Sequence, residues 1–258
     1  MTSMTVNHAR QYVKGLALPP LPTQKRTTEA VEPVKFDYNA VKDQAMVVGS
    51  DIVSFVKGVT PEWREDISNS ALLAQLAAKK AVGDRSNLEA WYNAYFDVLI
   101  NTGWILQVRN FTEYSEQSEN FEAHEAILQI ASTLLGPSPA ALAVVKATLD
   151  ALKKMSADSP WMTLFKRESQ SAKAARFQVT LVEKGAADQV LVSLMAFALT
   201  ATDDLTQVLF FKYQTSKVTL KHYSGNVTIN PIVLSGIRDQ VKEMLAKYAK
   251  EYLRGLDL

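Results

Sequence analysis

Apolar positions recur at helical spacing from about residue 38 to residue 164, and the period shortens to that of strands after Ala172. The first stripe, Val41, Ala45, Val48, Ile52 and Val56, predicts a helix over residues 38–57, capped by Asp37 and ended by Gly58. Further helices are expected over residues 61–82, 86–106, 122–135, 140–155 and 161–167. Their starts are punctuated. Thr60-Pro61, Ser138-Pro139, Ser159-Pro160 and Asn230-Pro231 each set a capping side chain before a proline that costs the first turn no hydrogen bond. Ser86 with Glu89 has the spacing of a capping box, and Gly136 suits a helix C-terminus.

After Ala172, Phe177, Val179 and Leu181 alternate with Arg176, Gln178 and Thr180, as in a half-exposed strand. Residues 190–199 are apolar on both faces and predict a central strand. Residues 208–213 predict another, and residues 218–221 an edge strand shielded by lysines. A short edge strand is also expected around residues 108–114. Ile232, Ile237, Val241, Leu245, Tyr248 and Tyr252 form the stripe of a last helix.

These elements predict an α+β fold: a helical layer packed on an antiparallel sheet of three to five strands, closed by a long C-terminal helix. Residues 1–37 read as an irregular arm around Leu18-Pro19-Pro20-Leu21-Pro22. Pro19 and Pro22 have the spacing of an SH3 ligand, but a strap across the fold is preferred. Residues 38–258 read as a single α+β domain, with a helical part at 38–170, a sheet at 174–230 and a C-terminal helix at 231–254.

Composition narrows the chemistry. Of 258 residues, 47% are hydrophobic and 21% charged, which is ordinary for a globular protein. There is no cysteine, which removes disulfides, thiol nucleophiles, Cys-ligated zinc and S-acylation together. A net charge of +1 without clustered cations argues against nucleic acid as a partner. No secretory signal is recognisable, so the expected location is cytoplasmic, or exported without a cleaved signal peptide. No apolar run approaches the roughly 20 residues of a membrane helix, so any membrane contact must be made another way.

Three histidines occur: His8, His124 and His222. His124-Glu125 lacks the second histidine of a zinc-binding helix, so no metal and no cofactor is expected. No G-x-S-x-G turn presents a serine nucleophile. The catalytic candidates are therefore dispersed: His222 with Ser224 on one strand, and Asp203-Asp204 in a turn. Glu113, Glu116 and Glu119 read as loop carboxylates. Trp91, Tyr95 and Trp104, with Tyr92 and Phe96, are candidates for a ligand pocket, although spacings of three and four residues more often mean core. The apolar pair 190–199 and 208–213 has the character of a membrane-inserting hairpin, against which stands its use as buried sheet.

The blocks Val47-Val48-Gly49-Ser50-Asp51-Ile52-Val53 and Asn69-Ser70-Ala71-Leu72-Leu73-Ala74-Gln75, with Trp91-Tyr92-x-x-Tyr95 and Gly103-Trp104-Ile105-Leu106-Gln107, resemble an uncharacterised family of bacterial proteins. The chain is also similar to secreted bacterial virulence factors of mixed α/β fold. Some of those carry a lipid on cysteine, a feature this chain cannot share. The reading is a non-catalytic bacterial binding or interaction protein, with a secreted or injected effector as its implied setting. Its partner would be an unidentified protein or a small apolar ligand. The alternatives are a membrane-active pore-forming toxin, and a hydrolase with a dispersed carboxylate/His site.

Overall fold

The segment expected as the first long helix is instead a hairpin of two strands, and this changes the architecture. The computed structural model describes residues 5–21, 37–106, 110–114, 120–136, 139–185, 189–210, 212–214 and 217–258. In chain order, helix α1 (Val6–Gly15) precedes strands β1 (Gln44–Val48) and β2 (Asp51–Phe55). Helices α2 (Pro61–Ala81) and α3 (Leu88–Asn101) follow, then short strands β3 (Trp104–Ile105), β4 (Thr112–Glu113) and β5 (Asn120–Glu122). Helices α4 (Ala123–Leu135), α5 (Pro139–Lys153) and α6 (Pro160–Ser169) lead to strands β6 (Ala174–Lys184), β7 (Val190–Ala201), β8 (Lys212–Gln214) and β9 (Val218–Ile229). The last elements are α7 (Pro231–Leu245), α8 (Ala249–Tyr252) and β10 (Leu253–Asp257).

Every residue of β1 and β2 is buried. A strand covered on both faces loses its polar alternation, so its apolar run matches a helical stripe equally well. The turn between them uses Gly49 at φ 56°.

The sheet has eight strands in the order β10-β1-β2-β6-β7-β9-β3, with β4 also paired to β9. It is mixed: β2 runs parallel to β6, with Asp51 opposite Gln178, and the other pairs are antiparallel. This overturns the expected antiparallel sheet of three to five strands. A parallel pair needs a long crossover, and here helices α2 to α6 supply it. Helices cover both faces rather than one. Alternate residues of β2 show this: Phe55 meets Arg64 of α2, whereas the Ser54 hydroxyl meets Thr148 of α5 at 3.0 Å. Helices α2, α3 and α7, with α1 across α7, cover one face; α4, α5 and α6 lie on the other.

Several local expectations change with it. The strand at 218–221 is not an edge, because β9 pairs with β7 on one side and with β3 and β4 on the other. Residues 208–210 form no strand, and β8 pairs with β5 rather than with β7. The last long helix stops at Leu245, because residues 253–257 leave it to pair with β1. The arm contains α1, whose Val6 lies so close to Gly236 of α7 that a Cβ there would collide with it. Thr60, Ser159 and Asn230 cap α2, α6 and α7 as expected. Asn87, not Ser86, caps α3. Ser138 and residues 22–36, including Pro22, lie outside the described residues. Residues 190–199 are central, as their composition implies, and all but Leu191 and Ala198 are buried.

Candidate functional site

The sheet face beneath α3 is unexpectedly polar. On β6, Arg176, Gln178 and Thr180 point toward α2 and α3 and are buried, where the alternating pattern implied exposure. Each is held by a specific partner. The Tyr92 hydroxyl of α3 lies 2.6 Å from the Phe197 carbonyl oxygen and 3.0 Å from that of Phe177, and it accepts from Gln178 Nε2 at 3.1 Å. Gln75 Oε1 accepts from the Ser50 backbone N–H at 2.8 Å, while its Nε2 donates to the Val48 carbonyl. Thr180 Oγ1 donates to Asp51 Oδ2 at 2.9 Å. The Arg176 guanidinium stacks 4.5 Å from the Trp91 ring and donates to the Arg85 carbonyl. Burial sets the protonation here. It raises the hydroxyl pKa values of Tyr92 and Tyr95, pushes the Asp51 carboxyl up to about 7, and lowers Arg176 to about 10.

This network pins α3 to the sheet and fixes one wall of a cleft. Between the start of α3, residues 110–111 and the face of β7 and β9 is a cleft of about 650 Å³. Its apolar lining is Leu88, Tyr92, Phe111 and Ala198; the Tyr92 and Phe111 rings lie 4.8 Å apart. Its polar lining is Ser86, Glu89, Asn93, Asn110, Thr200, Thr219 and Lys221. Ser86 Oγ donates to exposed Asp84, whose carboxyl the Ser86 backbone and side-chain hydrogen bonds hold below its usual range, so the base this hydroxyl meets is a weak one. A second cavity of about 280 Å³ lies beside α6, lined mainly by Met162, Phe165, Val208, Leu209 and Gln170.

The residues singled out from sequence are scattered by the fold. His222 lies on β9 opposite Thr112, with its Nδ1 buried and without a hydrogen-bond partner among the described residues, and burial lowers its pKa. Ser224 lies two residues on, opposite Met195, and no hydrogen bond joins it to His222. Asp203 is exposed and ion-paired with Lys217 at 3.0 Å; Asp204 beside it is exposed too. Trp91, Tyr95 and Trp104 are buried in the core, and none of them lines the large cleft, whereas Tyr92 does. Trp91 instead borders a small void with room for about one water, beside Glu168, Arg176, Lys79 and Ser50. Burial raises the Glu168 pKa there, but Lys79 and Arg167 at 2.8 and 2.7 Å outweigh it and hold the carboxyl below its usual range.

His124, in the first turn of α4, is half-buried. Its Nδ1 lies 3.0 Å from Glu122 Oε2, without hydrogen-bond alignment, and Lys153 Nζ lies 3.4 Å from its Nε2. Glu113 is exposed on β4; Glu116 and Glu119 fall outside the described residues. No group of three metal-ligating side chains occurs among the described residues, and no described helix is long and apolar enough to cross a membrane.

Glu89, which the sequence reading placed only in a capping box, and Asn93 and Lys221 escaped that reading as cleft residues. Glu89, Tyr92 and Asn93 share a face of α3 by their spacing of three and four residues. Lys221 joins them only through the pairing of β9 with β7, where it stands opposite Ala198.

No protein-family model and no curated protein matches the chain. Solved structures similar to it include the following two. One, titled a delta-endotoxin, has 15% identity over 77% of this chain and 89% of its own, at a TM-score of 0.38. The other, titled the structure of the Evf virulence factor, has 8% identity over 96% of this chain and 89% of its own, at 0.35. Likeness this distant transfers no activity and no residue role.

Proposed function

We propose that this protein works by binding a small molecule in the cleft between α3 and the β7–β9 face, without transforming it. The cleft's makeup carries the reading. Its volume of about 650 Å³ falls within the span of small-molecule sites, and an apolar floor meets a polar rim. Its described lining holds one carboxylate and one ammonium but no histidine, and the Ser86 hydroxyl meets only Asp84, a carboxylate held below its usual range and so a weak base. The polar rim shifts the expected ligand from purely apolar to amphiphilic. Tyr92 is held by bonds to two strands, so the floor is formed before the ligand arrives and little ordering cost remains. The expected setting, a secreted or injected effector, rests on the sequence resemblance alone.

Protein-observed NMR against small soluble fragments tests the proposal. The fragments should include uncharged, anionic, cationic and zwitterionic compounds. Shift changes gathered on Tyr92, Phe111, Ala198 and Thr200 are expected. Changes confined to other regions, or turnover of a bound fragment, would overturn it.

A further inference from the structure

The cleft's two charged residues sit on different walls. Glu89 projects from the first turn of α3 and Lys221 from β9. Both are exposed, and neither has an ion-pair or hydrogen-bond partner for its side chain among the described residues. Unlike charges brought to one cleft and left unjoined present opposite potentials to whatever enters it. Some unlike charges elsewhere in this molecule do meet directly: Lys242 and Glu65 at 2.8 Å, Arg238 and buried Asp66 at 2.7 Å, and Lys217 and Asp203 at 3.0 Å. Glu89 and Lys221 line the cleft together with its apolar floor, and Asn93 and Asn110 add amide donors and acceptors to the same lining.

We infer that the ligand is a zwitterion of the amino-acid or short-peptide class. Its ammonium faces Glu89, its carboxylate faces Lys221, and its apolar side chain lies on Leu88, Tyr92 and Phe111. This inference rests on the binding reading above and sharpens it. A singly charged ligand would leave one of the two groups without a counterpart. An uncharged one could answer each only with a dipole, a weaker counterpart than an opposite charge. The volume has room for more than one amino-acid residue, so a dipeptide is the natural probe.

The test is calorimetric titration with the dipeptide Ala-Phe in three forms: free, N-acetylated and C-amidated. The free form is expected to bind at the cleft, and each capped form to bind roughly tenfold more weakly, the effect of one charge-assisted hydrogen bond. Glu89→Gln should weaken the free dipeptide to the level of the acetylated form and leave the acetylated form unchanged. Lys221→Met should do the same with respect to the amide. Both side chains are exposed, so neither substitution disturbs the core. Capped forms that bind as tightly as the free one, or variants that bind it unchanged, would overturn the zwitterion. So would a free dipeptide that does not bind while other fragments do. In those cases the binding cleft itself stands. If no fragment shifts a cleft resonance, both readings fall together.

Discussion

Thr180 and Asp51 are joined across a parallel strand pair, the threonine hydroxyl donating to Asp51 Oδ2 at 2.9 Å, while Asp51 Oδ1 stays buried without a partner among the described residues. A carboxyl so placed is more stable protonated. Its pKa in the folded chain, about 7, lies above the ordinary value of 3.8. Between those values the folded state holds a proton that the unfolded chain has lost. Stability should therefore be fullest below pH 4 as far as this group is concerned, and fall as pH rises toward 7, by at most about 1.4 kcal/mol per pH unit. Asp51→Asn removes that dependence while keeping an acceptor for Thr180. Urea unfolding between pH 4 and 8 checks it: the variant should gain on the wild type as pH rises. A constant difference would assign the proton elsewhere.

Tyr92→Phe keeps the ring in the cleft floor but deletes the hydroxyl that meets the strand carbonyls and Gln178. It should cost about 1–3 kcal/mol, since Gln178 Nε2 is left buried without its acceptor. The urea midpoint should fall with an unchanged slope. A variant as stable as the wild type would mean that α3 is held by apolar packing alone.

Gly49→Ala tests the turn of the hairpin. The φ of 56° already disfavours a side chain, and the added Cβ would meet Gln75 Oε1. Gln75 would have to leave Ser50 and Val48, so a loss of about 2–4 kcal/mol is expected by the same measurement. A loss under about 0.5 kcal/mol, the range of an ordinary surface change, would show that the turn can adjust.

Strands β6 and β7 were legible because the length and apolar content of those runs admit little else. The capped starts at Thr60, Ser159 and Asn230 were legible because capping is local chemistry. The hairpin of β1 and β2 was not. Its residues are buried on both sides, and nothing local separates that from a helix stripe. Lys221 was unreadable as a cleft residue for a different reason. Its neighbours Ala198 and Glu89 reach it only through strand register and the docking of α3. Buried Arg176 and Gln178 misled in the opposite sense, since an alternating polar row normally faces water.

The pairing of β10 with β1 carries a consequence for biosynthesis. Gln44 meets Asp257 and Val48 meets Leu253, so an early hairpin finds its outer neighbour only after more than 200 further residues have left the ribosome. Until then one rim of β1 and its apolar side chains are uncovered, and the nascent chain is open to misassociation through that strand. The rim of β1 is thus closed by an element made long after it, and a chain stopped short of Leu253 would leave that rim bare.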